Sequence, residues 1–156
     1  MSAANNLVDD ILRTAIRREI DAYNLYSSAV AVAQDAVAKE VLTDLANQEK
    51  GHRTRLETLA DGNVFKILSR IQVRKVENLK ITDYLVEVPL AAESDLQDIL
   101  IVAGKRERAS FELYAAMARI APDDGTRKLF EFLANEELGH KIRVERLYDD
   151  LVYQDN

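Results

Sequence analysis

The sequence lacks cysteine and tryptophan, and its 156 residues include only five glycines and two prolines. Without cysteine, disulfides, thiol catalysis, iron–sulfur clusters and thiolate zinc sites are excluded within this chain. The scarcity of glycine and proline favours long helices over turns. No apolar run approaches the roughly 18–20 residues of a membrane span. The first residues, MSAANNLVDDIL, are acidic where a signal peptide is basic, so we expect a cytoplasmic protein that is not bound to a membrane.

The composition is typical of a globular chain, with 47% apolar and 31% charged residues. Its length predicts one domain, covering residues 1–156, that can bury a substantial core. The net charge of −6 argues against nucleic acid as a partner, because a phosphate backbone attracts basic surfaces.

Heptad spacing of apolar residues predicts four helices, over residues 5–34, 36–60, 94–121 and 123–151. The first two helices resemble the last two when the sequence is shifted by 88 positions, as from His52 to His140. We therefore expect a repeated helical hairpin, over residues 5–60 and 93–151, related by a pseudo-two-fold axis. The residues of the first copy that recur unchanged are Ile11, Leu12, Ala15, Arg18, Glu19, Leu25, Tyr26, Leu45, Ala46, Asn47, Glu49, Gly51, His52, Arg55, Glu57 and Leu59.

The connector between the two hairpins, residues 61–93, is too long for a tight turn and too apolar for a disordered linker. We interpret it as an ordered crossover with one or two short helices. A crossover of this kind lets the second and third helices run parallel. The predicted fold is thus an all-α antiparallel four-helix bundle with one long crossover connection between helices 2 and 3.

Both histidines of the chain lie in one repeated motif, LANQEKGH at 45–52 and LANEELGH at 133–140. In each copy a glutamate stands three residues before the histidine, so both side chains project from one face of a helix. A further glutamate lies 30 positions before each motif glutamate, as from Glu19 to Glu49. The heptad pattern assigns all six to the core: Glu19, Glu49, His52, Glu107, Glu137 and His140.

Four buried carboxylates need compensation, because each unpaired one costs several kcal/mol in a domain whose net stability is about 5–15 kcal/mol. Two divalent cations offset four negative charges. Carboxylate and imidazole ligands suit iron, manganese or zinc, and they form the ligand set of ferritin-like di-metal proteins. The alternative is that these residues form surface ion pairs and hydrogen-bonded histidines on helices that happen to be duplicated.

At these residues the chain resembles the rubrerythrin branch of the ferritin-like superfamily. The resemblance extends through AIRREIDAYNLY at 15–26 and AGKRERASFELY at 103–114, and so covers nearly the whole chain. It implies two iron ions bridged by Glu49 and Glu137. It also implies Glu19 and Glu107 as terminal carboxylate ligands, with His52 and His140 binding one metal each. Family members reduce hydrogen peroxide or dioxygen, and more distant relatives oxidise and store iron.

The chain departs from the family pattern in two places. It has no cysteines for the rubredoxin-type iron site that delivers electrons, so peroxide reduction would need an external electron donor. Ser110 stands where the family has a second glutamate on the third helix. The nearby Glu112 lies about 140° away from the ligand face of that helix.

Several other repeated residues can be interpreted in two ways, as part of the metal site or as ordinary structural residues. Tyr26 and Tyr114 follow the predicted ligands Glu19 and Glu107 by two helical turns. Their hydroxyl groups either orient a carboxylate or donate a proton beside the metals, or they belong to ordinary core aromatics. The repeated arginines form either a solvated face or contacts close to the metals; they are Arg18, Arg55, Arg106 and Arg143.

Three functions remain open from the sequence. The first is a non-haem di-iron redox enzyme that reduces hydrogen peroxide or dioxygen with electrons from a partner. The second is a ferroxidase that oxidises and passes on Fe²⁺. The third is a bundle that the metal only stabilises and that serves as a binding or assembly domain. We also expect a homodimer, because a long bundle with an apolar crossover buries a flank against a copy of itself.

Overall fold

A computed structural model describes residues 3–61 and 95–154, with side chains over 10–61 and 95–153. The described chain forms four helices: α1 (Ala3–Val32), α2 (Ala36–Asp61), α3 (Leu96–Ile120) and α4 (Asp124–Gln154). Each end lies within a few residues of the end that the heptad pattern predicts. Apart from its first residue, Asp61, the predicted crossover at 61–93 lies outside the described residues, as do the short helices expected within it.

Aspartate side chains set the starts of α3 and α4. Asp95 accepts a hydrogen bond from the backbone N–H of Asp98 at 2.9 Å, and Asp123 accepts one from Thr126 at 2.8 Å. An aspartate at this position satisfies a backbone N–H that has no partner within the helix. The two helices therefore begin one or two residues later than the apolar periodicity alone predicts.

The helices pack as two hairpins, α1 with α2 and α3 with α4, and the hairpins meet through α1 against α3 and α2 against α4. Tyr26 contacts Glu107, whereas Glu19 contacts Tyr114, so α1 and α3 run in opposite directions. Because α2 is also antiparallel to α1, α2 and α3 run parallel. The end of α2 and the start of α3 therefore lie at opposite ends of the bundle, whose length is about 38 Å for the 25 residues of α3. The predicted all-α, antiparallel four-helix bundle is confirmed.

The apolar core is divided into two clusters at opposite ends of the bundle. The first collects the starts of α1 and α4 and the ends of α2 and α3: Ile11, Leu12, Ala15, Leu56, Leu59, Leu113, Tyr114, Ala116, Met117, Ala118, Ile120, Phe130, Leu133 and Ala134. The second lies near the α1–α2 turn: Leu25, Tyr26, Ala29, Ala33, Leu42, Leu45, Ala46, Ile99, Leu100, Ala103 and Val144. In each helix the charged residues of the predicted site fall between the two clusters.

Each helix buries more of its surface than one row of heptad positions. Leu25, Ala46 and Leu113 are buried although each lies next to an apolar heptad position of its helix and not on one. Each helix packs against both its hairpin partner and a helix of the other hairpin, so it buries two adjoining stripes. Among the described helices, none is long and apolar enough to cross a membrane.

Candidate metal centre

All six residues predicted as metal ligands are brought together in one buried layer of the bundle. Their exposed fractions lie between 1% and 4%. In each helix these residues lie between the residues of the first apolar cluster and those of the second, which places them at the middle of the bundle. The members are Glu19 from α1, Glu49 and His52 from α2, Glu107 from α3, and Glu137 and His140 from α4.

His52 faces three of these carboxylates through its Nδ1 atom. The distance from Nδ1 to the carboxylate is 3.0 Å for Glu137, which lies across the bundle on α4. It is 3.6 Å for Glu19 and 3.8 Å for Glu49. One nitrogen of the ring therefore lies among ligands from three different helices.

His140 repeats this arrangement with the symmetry-related residues. Its Nδ1 atom lies 2.5 Å from Glu49, 3.7 Å from Glu107 and 3.9 Å from Glu137. The two imidazole rings stack with their centroids 5.3 Å apart and their planes 11° from parallel. The sequence repeat is thus expressed as a pseudo-two-fold axis through the centre of the site.

Four of the six residues form a single group in which the ligand atoms lie within 4.8 Å of one another: Glu49, His52, Glu137 and His140. Glu19 and Glu107 flank this group, each within 4 Å of one histidine nitrogen. Glu49 and Glu137 thus lie in the middle of the layer, and Glu19 and Glu107 lie at its two sides.

Two tyrosine hydroxyl groups connect the hairpins at this layer. Tyr26 donates to Oε1 of Glu107 at 2.5 Å, and Tyr114 donates to Oε1 of Glu19 at 2.6 Å. Each tyrosine therefore contacts the glutamate of the opposite hairpin and not the one two turns earlier on its own helix. Both hydroxyl groups donate to a predicted ligand carboxylate, and both rings belong to the apolar clusters, so these contacts fit either of the two interpretations that the sequence left open.

The pKa values of the two inner carboxylates are raised in the metal-free protein. Burial, together with the negative charges of Glu107 and Glu19, raises the pKa of Glu49 well above its ordinary value. The pKa of Glu137 is raised for the same reasons, with a further contribution from the charge of Glu49. A cation that binds here would compete with protons for these oxygens, because carboxylates bind metal in their charged form.

The pKa values of the two outer carboxylates are lowered, so both are charged at neutral pH. Burial would raise the pKa of Glu19, but the side chains of Glu49, His52 and Tyr114 favour its charged form, and the pKa is lowered. The pKa of Glu107 is lowered in the same way, by Glu137, His140 and Tyr26. The site therefore separates into two carboxylates with lowered pKa values and two with raised ones, related by the pseudo-two-fold axis.

The residues present fit a pair of metal ions. One buried oxygen of Glu19 and one of Glu107 have no hydrogen-bond partner among the described residues. A buried carboxylate oxygen without a partner is costly, and a cation in the site would satisfy both. The donor set of carboxylates and neutral imidazoles suits iron, manganese or zinc.

Ser110 is buried on the same face of α3, one turn after Glu107. Glu112, by contrast, points to the surface, where its carboxylate accepts a hydrogen bond from Arg108 at 3.1 Å. Within the described residues, α3 thus contributes one carboxylate to the site, as its sequence predicts.

The sequence did not identify the residues that contact the outer edges of the histidine rings. Gln48 lies 2.7 Å from Nε2 of His140, and the ring of Phe132 packs edge-on to His52 with 6.3 Å between centroids. Both contacts cross between α2 and α4. One signal is present in the sequence: Gln48 differs from its repeat counterpart Glu136, whereas the residues on either side are identical in the two motifs.

Removing one tyrosine hydroxyl should weaken the metal-free protein measurably. In Tyr26→Phe the Oε1 atom of Glu107 loses its donor and stays buried, which costs about 1–3 kcal/mol. Tyr114→Phe should cost a similar amount at Glu19 because the two contacts are symmetry-related. Urea unfolding of the chelated protein measures both, and Tyr153→Phe, on an exposed residue, is the control. Equal stability of all three variants would contradict the assigned contacts.

The bundle and its carboxylate–histidine layer define a ferritin-like protein with a site able to bind metal. The family model of rubrerythrin matches residues 10–148, and the chain belongs to the rubrerythrin family. This finding confirms the resemblance recognised in the sequence. The alternative of surface ion pairs fails, because all six residues are buried in the centre of the bundle.

A curated relative extends the comparison. The chain is 29% identical, over 119 residues, to the ferritin-like–encapsulin shell fusion protein of Pyrococcus furiosus. The aligned part covers 76% of this chain but only 30% of that protein, so the chain spans about a third of the relative's length. No solved structure matches this chain significantly.

Proposed function

We propose that this protein is a non-haem di-iron redox protein that reduces hydrogen peroxide or dioxygen with electrons from an external donor. The observation that supports this most directly is the pseudo-symmetric layer of four buried carboxylates and two imidazoles, at least two of whose oxygens lack partners. Membership of the rubrerythrin family supports the choice of iron over manganese or zinc.

The metal would be held by the six residues of this layer. Two ferrous ions, when bound, supply one electron each, and this pair reduces hydrogen peroxide to two molecules of water. The remaining requirement is for two protons, which must come from groups near the site. The apolar clusters on both sides limit the entry of bulk water, which strengthens the electrostatic interactions of the charged ligands.

The ionisable residues of the site hold their protons to different degrees. Glu49 and Glu137 have raised pKa values in the metal-free protein, and binding of cations would release protons from them before an oxidant reacts. Burial and the charge of Glu107 raise the pKa of Tyr26 well above its usual range, so its hydroxyl stays protonated. The pKa of Tyr114 is raised by burial and by Glu19. Both hydroxyls therefore keep donating to the outer carboxylates throughout the cycle.

A ferroxidase is the second candidate, and two observations favour it. Ser110 removes the second α3 carboxylate that the peroxidases of the family carry, and the curated relative is named as a ferritin-like protein. In this function Fe²⁺ is the substrate and leaves as Fe³⁺. The same six residues would then bind iron transiently.

One experiment separates the two candidates. The protein is loaded anaerobically with two equivalents of Fe²⁺, excess iron is removed, and stoichiometric hydrogen peroxide or dioxygen is added. A peroxide or dioxygen reductase should show the near-UV absorption of ferric iron within seconds and still hold both ions after desalting. A reductant should then restore the ferrous state for a further cycle.

The opposite results identify the alternatives. Consumption of many Fe²⁺ ions per chain, with Fe³⁺ released into solution or a mineral, supports the ferroxidase. If fewer than one transition metal binds per chain, and added iron changes neither absorbance nor melting temperature, both redox functions are wrong. The metal-stabilised or purely structural bundle is excluded by sustained turnover with either oxidant.

A further inference from the structure

The outer edge of His140 is connected to the protein surface by a chain of hydrogen bonds. Its Nε2 atom lies 2.7 Å from Oε1 of Gln48, and Nε2 of Gln48 donates to Oδ2 of Asp44 at 2.8 Å. Arg143 donates to the same oxygen of Asp44, also at 2.8 Å. The chain joins α2 to α4 and ends at a partly exposed ion pair.

The donor and the acceptor of each hydrogen bond between Asp44, Gln48 and His140 can be assigned. The carboxylate of Asp44 accepts hydrogen bonds and cannot donate, so the amide NH₂ of Gln48 must point toward it. The amide oxygen of Gln48 then faces His140 and accepts a hydrogen bond from Nε2–H. An imidazole that binds metal is neutral and carries one proton, so with Nε2–H on Gln48 the metal-binding lone pair of His140 lies on Nδ1, which faces the carboxylates of the site.

The other half of the site is built differently. By the sequence repeat, the counterparts of Gln48, Asp44 and Arg143 are Glu136, Phe132 and Arg55. Phe132 packs edge-on against the ring of His52, with the planes 83° apart. The guanidinium of Arg55 lies 4.5 Å from the centre of the Phe132 ring. An aromatic ring and a cation thus replace the amide–carboxylate–arginine chain on this side.

We propose that Gln48, Asp44 and Arg143 are positioning residues that hold His140 in its metal-binding tautomer, so that the His140 metal position fills before the His52 position. The inference rests on the metal site proposed above. It adds that the two positions, although symmetric in their six ligands, differ in affinity.

This chain of hydrogen bonds orients the ring of His140 and adds little to the stability of the fold. The Asp44–Arg143 ion pair is partly exposed, and such pairs contribute about 0–1 kcal/mol. Its role is to fix Asp44, which fixes the Gln48 amide, which in turn fixes the ring. Hydrogen-bond partners of this kind change metal affinity about 10–100-fold.

Nitrogen-15 NMR of the histidine rings tests the tautomer without any metal. The chain has only two histidines, so each ring gives a resolved pair of nitrogen signals. In the chelated wild-type protein we expect Nε2 of His140 to be protonated and Nδ1 to be unprotonated. Gln48→Leu removes the acceptor, and the two tautomers of His140 should then interconvert, with averaged nitrogen shifts.

A titration with Zn²⁺, a redox-inert and diamagnetic probe, tests the order of filling. In the wild type the signals of His140 should respond to the first equivalent and those of His52 to the second. Gln48→Leu should weaken binding at the His140 position about 10–100-fold and abolish or reverse this order. Asp44→Leu, on an exposed residue, should act in the same direction and serves if Gln48→Leu folds poorly.

Glu136→Leu, at the repeat counterpart of Gln48, is the matched control and should leave the tautomer and affinity of His140 unchanged. The proposal is overturned if wild-type His140 carries its proton on Nδ1, or if Glu136→Leu shifts His140 as much as Gln48→Leu does. Simultaneous filling of both positions in the wild type also overturns it. If zinc does not bind at all, the metal site itself fails, whereas the tautomer measurement still decides whether Gln48 positions the ring.

Discussion

Glu137→Leu should abolish tight binding of both metal ions while changing the stability of the metal-free protein only slightly. Glu137 is one of the two inner carboxylates, so both metal positions lose a ligand. Its removal also takes one acidic group out of a layer that holds four of them in a buried environment. Replacing buried ionic groups by apolar residues of similar volume is often neutral or stabilising, by up to about 4 kcal/mol.

Two contacts oppose this gain. Nδ1 of His52 lies 3.0 Å from Glu137 and loses that partner in the variant, at a cost of about 1–3 kcal/mol. Glu107 also loses its interaction with Glu137, which helps to lower the pKa of Glu107. The expected net change in stability is therefore small compared with the loss of metal affinity. Isothermal titration calorimetry with Fe²⁺ or Zn²⁺ measures the affinity, and urea unfolding with chelator measures the stability.

The matched control is Glu112→Leu, which removes a carboxylate from the surface of α3. It should leave the metal affinity at the wild-type value. A Glu137→Leu protein that still binds two ions tightly would falsify the ligand assignment. A large loss of stability without metal would instead show that Glu137 is held by compensating contacts in the free protein.

Metal loading should raise the melting temperature of the wild-type protein strongly. Binding to the folded state alone stabilises by about 4 kcal/mol for each site when the free metal is 1,000 times the dissociation constant. Two sites then give about 8 kcal/mol, or about 15–30 °C in melting temperature for a chain of this size. The cause is the relief of like charges in the buried layer, which the metal-free protein can only lessen by holding protons.

Differential scanning calorimetry with and without a strong chelator measures this shift. In Glu137→Leu the shift should disappear, which separates specific loading from general effects of metal ions. Mg²⁺ at the same concentration is a second control, because it prefers oxygen ligands in octahedral geometry and keeps its water. A wild-type protein whose melting temperature is unchanged by Fe²⁺, Mn²⁺ or Zn²⁺ would contradict the assignment of the buried layer as a metal centre.

Much of this architecture is predictable from local pattern. The four helices follow from the 3.6-residue periodicity of apolar residues, and their starts can be refined from Asp95 and Asp123, whose side chains act within three residues. The six charged residues of the site can be identified because they occupy core positions of that periodicity. Their burial follows from the angular position of each residue around its helix, and the spacing of residues in the sequence is enough to give that position.

The contacts around the site, by contrast, join residues that are far apart in the sequence. The Tyr26–Glu107 hydrogen bond spans 81 positions and the His140–Gln48 hydrogen bond spans 92. Such pairs depend on how two helices are rotated and shifted relative to each other. Spacing along one helix does not encode this, which is why a tyrosine two turns from Glu19 in sequence contacts the glutamate of the other hairpin.

The repeat of Glu-x-x-His in LANQEKGH and LANEELGH, with Glu19 and Glu107, was enough to identify the six charged residues and their two-fold relationship. Helical periodicity is local, so it needs no knowledge of neighbours. Only the packing of α2 against α4 decided which side chains contact each ring, with Gln48 beside His140 and Phe132 beside His52. Each ring is contacted by side chains of the facing helix, whose register is set by the folded bundle, so the sequence alone does not show that the differences between the two copies fall beside the histidines.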